Sequence, residues 1–233
     1  MEEQSVDIFT VPRLERIPYL IHGFGTGRWR ELDIKARLKG RDFRLLFLNQ
    51  IHSNIVHFID EIPSDNLDGD ALITRLDRLL IVIKTADCLP VLMVEESRKI
   101  IAAVHCGWRG TTNKVIQRVL KGMESHYHGQ LSSLLVALGP SIGPECYEVG
   151  QDVRQGFEEA DLPLKVFRPN PEKEGKYFLD LREANLLQLL SLGVRRENIF
   201  TVDFCTHCSN FLPSFRRDGK KAGRMLSFIG MSF

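Results

Sequence analysis

The sequence predicts an α+β architecture in which helices and mixed β-sheets pack in layers. Three observations lead there. Near-continuous apolar runs such as RLLIVIK have the length and composition of buried strands, segments of helical period lie between them, and two apolar runs stand close enough to form a hairpin. Alternating strands and helices alone would give a parallel sheet, and the hairpin makes it mixed.

In chain order, RLLFLNQIHSNIVHFID (44–60) reads as two short strands with a polar interruption at Gln50, His52 and Asn54. LDGDALIT (67–74) carries turn chemistry at Asp68 and Gly69 and then enters a strand, and RLLIVIKTADC (78–88) reads as a strand buried on both faces. LPVLMVEESRKIIAAVHC (89–106) reads as a hairpin turning at Glu96 to Arg98, with Cys88 before its first strand and His105 after its second. That hairpin would bring Cys88 and His105 to one end of a sheet.

Behind the His105 loop, Val115, Ile116, Val119, Leu120 and Met123 recur at helical spacing, with Thr111 or Thr112 as the expected cap. LSSLLVAL is read as a strand, VRQGFEEA as a helix after a Gly/Pro-punctuated loop, DLREANLLQLLSLGV as a second amphipathic helix ended by Gly193, and NIFTVDF as a strand leading to Cys205.

Composition bounds the rest. The chain has 233 residues, 43% hydrophobic and 26% charged, with no linker, repeat or low-complexity stretch, so one domain over 1–233 is the simplest reading. Lys84 and Asp87 interrupt the longest apolar stretch well short of the roughly 20 residues of a membrane span. The acidic start MEEQSVDIFTV has neither the basic nor the apolar region of a secretory signal, which gives a cytoplasmic expectation and, for five Cys, reduced thiols. Thirty-one basic against 30 acidic residues argue against nucleic-acid or membrane partners, so an anion site must be local.

Cys88, His105 and His52 carry the chemistry. One thiolate and two imidazoles suit zinc, and three protein ligands leave a coordination position open, as in catalytic sites. A buried thiol and two ordinary histidines is the plain alternative, although each of the three sits beside a polar or glycine-rich turn at a strand end. Without metal, Cys88 and His105 would make a nucleophile and base, with Asp87 orienting a partner or binding substrate. The residues alone do not choose between these mechanisms.

Other motifs are weaker. Cys205 and Cys208 form a CxxC without a second pair, read as loop-stabilising, and His126–Tyr127–His128 reads as a solvated helix terminus. Seven His are too few for a multicopper centre, and the HxE and PCxxC elements of zinc base deaminases are missing. FRRDGKKAGR gathers Arg216, Arg217, Lys220, Lys221 and Arg224, which with Arg109 would bind phosphate or carboxylate; a solvated basic loop is the alternative.

In this order, NQIHSNIV, DGDALIT, TADCLPVLM, AAVHCGWRGT, LGPSIGPECYEVGQDV, DLREANLLQLLSLGV and CTHC followed by FRRDGKKAGRM resemble the blocks of the YfiH-type laccase-domain family, from about Ile21 to the end. The resemblance implies a four-layer α/β/β/α sandwich distantly similar to the catalytic domain of cytotoxic necrotising factors. It puts the zinc ligands on His52, Cys88 and His105, with copper as a substitute metal. The activity it implies is phosphorolysis of adenosine, inosine, guanosine or methylthioadenosine to base and sugar 1-phosphate, with adenosine deamination beside it and polyphenol oxidation as the older description. Arg109, Arg28, Asn49, Gln50 and Arg216 are then expected at substrate or phosphate, Asp87 or Glu148 as the acid, and a monomer or homodimer as the assembly. Two departures stand out: GFGTGRWRELD is shortened and leaves Arg28 as the counterpart of a longer loop, and Cys106 replaces a small Ala.

Overall fold

The computed structural model describes residues 7–38 and 42–233. The first six residues of the acidic start MEEQSVDIFTV therefore lie outside the described residues. Two six-stranded sheets face each other. The first runs in the order Ile8–Phe9, Leu20–Gly25, Met225–Met231, Leu79–Thr85, Arg44–Asn49, Leu67–Asp68, and the second Ile199–Thr201, Leu134–Leu138, Leu89–Glu95, Ile100–Cys106, Ala71–Thr74, Val56–Ile59. Each mixes parallel and antiparallel pairs: Leu79–Thr85 runs antiparallel to Met225–Met231 and parallel to Arg44–Asn49. A small antiparallel sheet of Glu148–Gly150, Lys176–Leu179 and Phe167–Pro169 stands apart.

The layering follows from side-chain alternation along the strands. In Leu79–Thr85, Leu79, Ile81 and Ile83 enter a core shared with Leu92, Val94, Ile101, Ala103, Leu135 and Ala137 of the second sheet. Leu80 and Val82 point the other way, onto Ile34 and Leu38 of the Glu31–Arg37 helix and its cap. On the far side of the second sheet, Val91, Met93, Ala102 and Val104 pack under Val115–Ser125, Gln151–Glu159 and Leu181–Ser191. Helix, sheet, sheet and helices make four layers, as expected. Each of the buried Val, Leu, Ile and Met side chains among these stabilises the fold by about 1.5–3 kcal/mol.

The expected hairpin is present, with Leu89 opposite Cys106, Pro90 opposite His105 and Glu95 opposite Ile100. Its turn is held from within, because the Glu95 carboxylate accepts hydrogen bonds from the Ser97 amide and hydroxyl and the Arg98 amide. His105 lies inside the second strand rather than after it, and the pairing with Pro90 still places it next to Cys88.

One cap differs from expectation. Thr111 and Thr112 belong to a separate short helix, Trp108–Thr112, and Lys114 in the left-handed region (φ 58°) breaks the chain before Val115–Ser125 begins. The hydroxyls turn back to carbonyls of their own turn, Thr111 to Gly107 and Thr112 to Arg109, and so cannot cap the next helix. The stripe Val115, Ile116, Val119, Leu120 and Met123 is buried as expected. The terminus at residues 126–128 is less solvated than its composition implies: Tyr127 is buried and donates to Asp60, and His126 binds the same carboxylate. Among the described residues no helix is long and apolar enough to cross a membrane.

Candidate metal centre and pocket

Three segments converge where the two sheets meet at one end: the loop after Arg44–Asn49 brings His52, the entry to Leu89–Glu95 brings Cys88, and Ile100–Cys106 brings His105. One donor atom from each lies within 4.8 Å of the others. The Cys88 Sγ is 3.9 Å from His52 Nε2, and the two imidazoles stand edge to face with centroids 4.8 Å apart. Gly107 leaves the room they need, since a Cβ there would lie 3.0 Å from Cys88 Sγ and 3.1 Å from His52 Cδ2.

Asp70 organises this cluster, and the sequence reading does not single it out. Fully buried, it accepts from His105 Nδ1 at 2.7 Å, from the His52 amide at 3.1 Å, and from the Ser53 amide and hydroxyl. It thereby orients one imidazole, freeing its Nε2, and fixes the backbone of the other. His52 takes a positive φ of 58° in that grip. A DGD turn leading into a strand was the available signal, but it reads equally well as a plain turn.

The charges of the cluster are coupled. Burial pushes the Cys88 thiol up, but the neighbouring His105 and His52 outweigh it and bring the pKa down to about 6. Burial likewise disfavours His105 protonation, and the Cys88 sulfur together with Asp70 raises its pKa to about 9. In the metal-free protein Cys88 and His105 thus form a thiolate–imidazolium pair at neutral pH. Cys106, one residue on, is fully buried against the helices, where burial drives its thiol well up and makes it packing rather than chemistry.

A cavity of about 570 Å³ opens over the cluster. Its wall includes the cations Lys84, Arg109, Arg216 and Arg224 and the aromatics Trp108, Tyr147 and Phe215. The Arg109 guanidinium lies 4.3 Å over the Trp108 ring, and that of Arg216 5.4 Å over Tyr147. Burial, with the nearby Cys88 and Asp87, holds the Tyr147 phenol far above the ordinary range, so it stays a hydrogen-bond donor.

The expected substrate residues divide here. Asn49, Gln50, Asp87, Arg109 and Arg216 all line the cavity, whereas Arg28 is exposed and does not. Gln50 is committed to structure, because its amide both donates to the Lys84 carbonyl and accepts from the Lys84 amide, each at 2.8 Å. Asn49 donates to Asp68. Asp87 is an anchor rather than a free acid: it is 8% exposed and accepts from the Thr206 hydroxyl at 2.7 Å and the Arg216 amide at 2.6 Å. Glu148 points away, bound to Lys173 and Asn170, and only its main-chain carbonyl meets Arg216.

The basic run splits in the same way. Arg216 and Arg224 reach the cavity, while Arg217 donates to the carbonyls of Thr206, His207, Ser209 and Leu212 and pairs with Asp218. Trp108, Tyr147 and Phe215 lie within the quoted sequence blocks, but the sequence reading draws no substrate role from them, since they arrive on separate loops and short helices.

A family model described as multi-copper polyphenol oxidoreductase laccase matches residues 30–232. This chain belongs to that YfiH-type laccase-domain family. Within the family, it is 37% identical over 187 residues to purine nucleoside phosphorylase CA_C1699 of Clostridium acetobutylicum, covering 78% of this chain and 75% of that one. It is 35% identical over 195 residues to adenosine deaminase RL5 of an unknown prokaryotic organism, covering 79% and 74%. Its fold matches that of YlmD from Geobacillus stearothermophilus with a TM-score of 0.84 at 28% identity, over 96% of this chain and 94% of that one. The Bacillus licheniformis protein YfiH superposes with a TM-score of 0.87 at 24% identity over 98% of both chains.

The family implies a bound metal, and the residues present fit one. The donor set is one sulfur and two imidazole nitrogens, a carboxylate fixes the tautomer of one imidazole, and a glycine keeps the space between the donors clear.

Proposed function

We propose that this chain is a zinc-dependent purine nucleoside phosphorylase, converting adenosine, inosine, guanosine or methylthioadenosine and phosphate to free base and the corresponding sugar 1-phosphate. One observation carries the reading: a single cavity places four cations and three aromatic rings around the His52, Cys88 and His105 cluster. An anion and a flat heterocycle are the ligands such walls suit.

In this reading His52, Cys88 and His105 hold the ion, and when bound zinc supplies Lewis acidity beside the cation ring. Arg109 and Arg216 bind phosphate and turn an oxygen toward the anomeric carbon. The bond from that carbon to the purine nitrogen breaks with its electron pair leaving on the base, a carbon–oxygen bond to phosphate forms, and the proton that hydrogen phosphate gives up passes through solvent to the base, which leaves neutral. The rings of Trp108, Tyr147 and Phe215 hold the purine by stacking, which discriminates poorly among purines and allows several nucleosides. Tyr147 donates a hydrogen bond to the departing base; its raised pKa makes it a poor source of a full proton. Asp87 keeps the Arg216 backbone in place through the Arg216 amide. Adenosine deamination is a side activity in which water displaces ammonia from the purine in the same cavity.

Base release assayed with and without inorganic phosphate tests this reading. Release that requires phosphate supports a phosphorylase, release without it a hydrolase, and no release from any of these nucleosides rejects it.

A second reading has its own observation. Asp70, His105 and Cys88 stand in the order of an orienting acid, a base and a thiol nucleophile. A cysteine hydrolase would keep full activity in chelated, metal-free protein, and the phosphorylase would lose it. Copper-dependent phenol oxidation would draw on the same donors, because copper binds such sites more tightly than zinc; comparing the zinc-loaded and copper-loaded forms separates the two.

A further inference from the structure

A second cluster of soft donors lies outside the cavity. Cys146, Cys205 and Cys208 bring their sulfurs within 4.8 Å of one another, with Cys146 Sγ 3.2 Å from Cys208 Sγ. The CxxC of Cys205 and Cys208 thus acquires a third thiol from a different loop. Cys146 and Cys205 are half-buried and Cys208 is exposed, so the cluster is open to solvent on one side.

We propose that Cys146, Cys205 and Cys208 form a second metal site that holds a zinc ion through three sulfurs and fastens the wall of the cavity.

The geometry favours a metal over a disulfide. Around a zinc–sulfur distance of about 2.3 Å, tetrahedral ligand atoms stand roughly 3.8 Å apart, and here all three sulfurs lie within 4.8 Å of one another, with the Cys146–Cys208 pair at 3.2 Å needing to open slightly. A disulfide would join Cys146 to Cys208 and leave out Cys205. Yet Cys205 carries the sulfur best prepared for negative charge, since it accepts the Gly143 amide at 3.2 Å and the amides of His207 and Cys208 within its own turn. Gly143 permits that approach, because a Cβ there would sit 3.2 Å from Cys205 Cβ and 3.3 Å from its sulfur. Binding would deprotonate the thiols and release their protons to solvent.

The cluster also has a structural task that suits an ion. Cys146 precedes Tyr147, and the loop of Cys205 to Ser209 is gripped by Arg217, next to Arg216. Ser141 and Cys205 form an isolated bridge between the same two loops. An ion across the three sulfurs would therefore join the segment bearing Tyr147 to the loop that braces Arg216.

Zinc content of the reduced full-length chain, after zinc loading and removal of free metal, tests the proposal. The wild type is expected to hold about two zinc ions, Cys208→Ser about one, and His52→Ala about one. Cobalt loading of His52→Ala should still give an intense sulfur-to-metal charge-transfer band, lost in the His52→Ala, Cys208→Ser double variant. A measurement on the wild type alone guards against misfolding of the variants: zinc should slow alkylation of Cys146, Cys205 and Cys208 by on the order of tenfold or more, read by peptide mass. Unchanged zinc content in Cys208→Ser, alkylation indifferent to zinc, or a Cys146–Cys208 disulfide in zinc-loaded protein would each overturn it. None of these readouts depends on nucleoside turnover, so the site stands or falls separately from the phosphorylase reading.

Discussion

The Asp70 carboxylate and the His105 imidazole are joined by a buried 2.7 Å hydrogen bond at Nδ1, which leaves Nε2 free on the side of Cys88. Asp70 also holds the His52 amide, so one carboxylate sets two of the three donors.

Asp70→Asn should therefore weaken zinc binding by about 10–100-fold, because an amide can present its NH2 to the imidazole and fix the wrong tautomer. Competition with a chelator of known affinity measures this. Unchanged affinity would show that the imidazole is oriented by packing alone.

Metal-free protein should contain a Cys88 thiolate at neutral pH. Its folded pKa of about 6 lies below the ordinary thiol value, so the charged form persists as pH falls and is lost only on passing through about 6. Alkylation of Cys88 should follow that midpoint, and His105→Ala should move it upward. Because His105 keeps its proton up to about 9, zinc uptake at pH 7.5 should release roughly one proton, from the imidazolium rather than the thiol. Isothermal titration in buffers of different ionisation enthalpy counts it.

Gly107→Ala should reduce metal content with little loss of stability. Its Cβ would crowd Cys88 and His52 at 3.0 and 3.1 Å, while at this helix start Gly and Ala differ by only about 1 kcal/mol or less. Zinc analysis beside thermal melting separates the two effects.

Arg109→Ala and Arg216→Ala should each raise the KM for phosphate by about 10–100-fold, as expected when a charge-assisted hydrogen bond of about 1.5–3 kcal/mol is lost. The Asp87 anchor is made to the Arg216 amide and survives that substitution. Arg28→Ala should leave the KM for phosphate unchanged, since Arg28 is exposed and lies outside the cavity wall.

Much of this architecture is legible in the sequence wherever its cause is local. The hairpin from Leu89 to Cys106 can be read because its strands are contiguous and its turn polar, and that alone brings Cys88 to His105. The Val115–Ser125 helix can be read from its stripe, but its start cannot, because the competing bonds of Thr111 and Thr112 are visible only once Trp108–Thr112 is folded. Asp70, Cys146 and the aromatic wall depend on crossings between distant segments, which no spacing encodes. For the same reason Gln50, Asp87 and Glu148 look like free functional groups in the sequence, whereas in the fold main-chain amides, Thr206, Lys173 and Asn170 occupy their polar atoms.

The most direct test of the central claim is the product balance of zinc-loaded protein given inosine and inorganic phosphate. A zinc-dependent phosphorylase yields ribose 1-phosphate and hypoxanthine in equal amounts, and both disappear in His52→Ala or after chelation and return with zinc. Free ribose in place of ribose 1-phosphate, or undiminished product formation in metal-free protein, would contradict it.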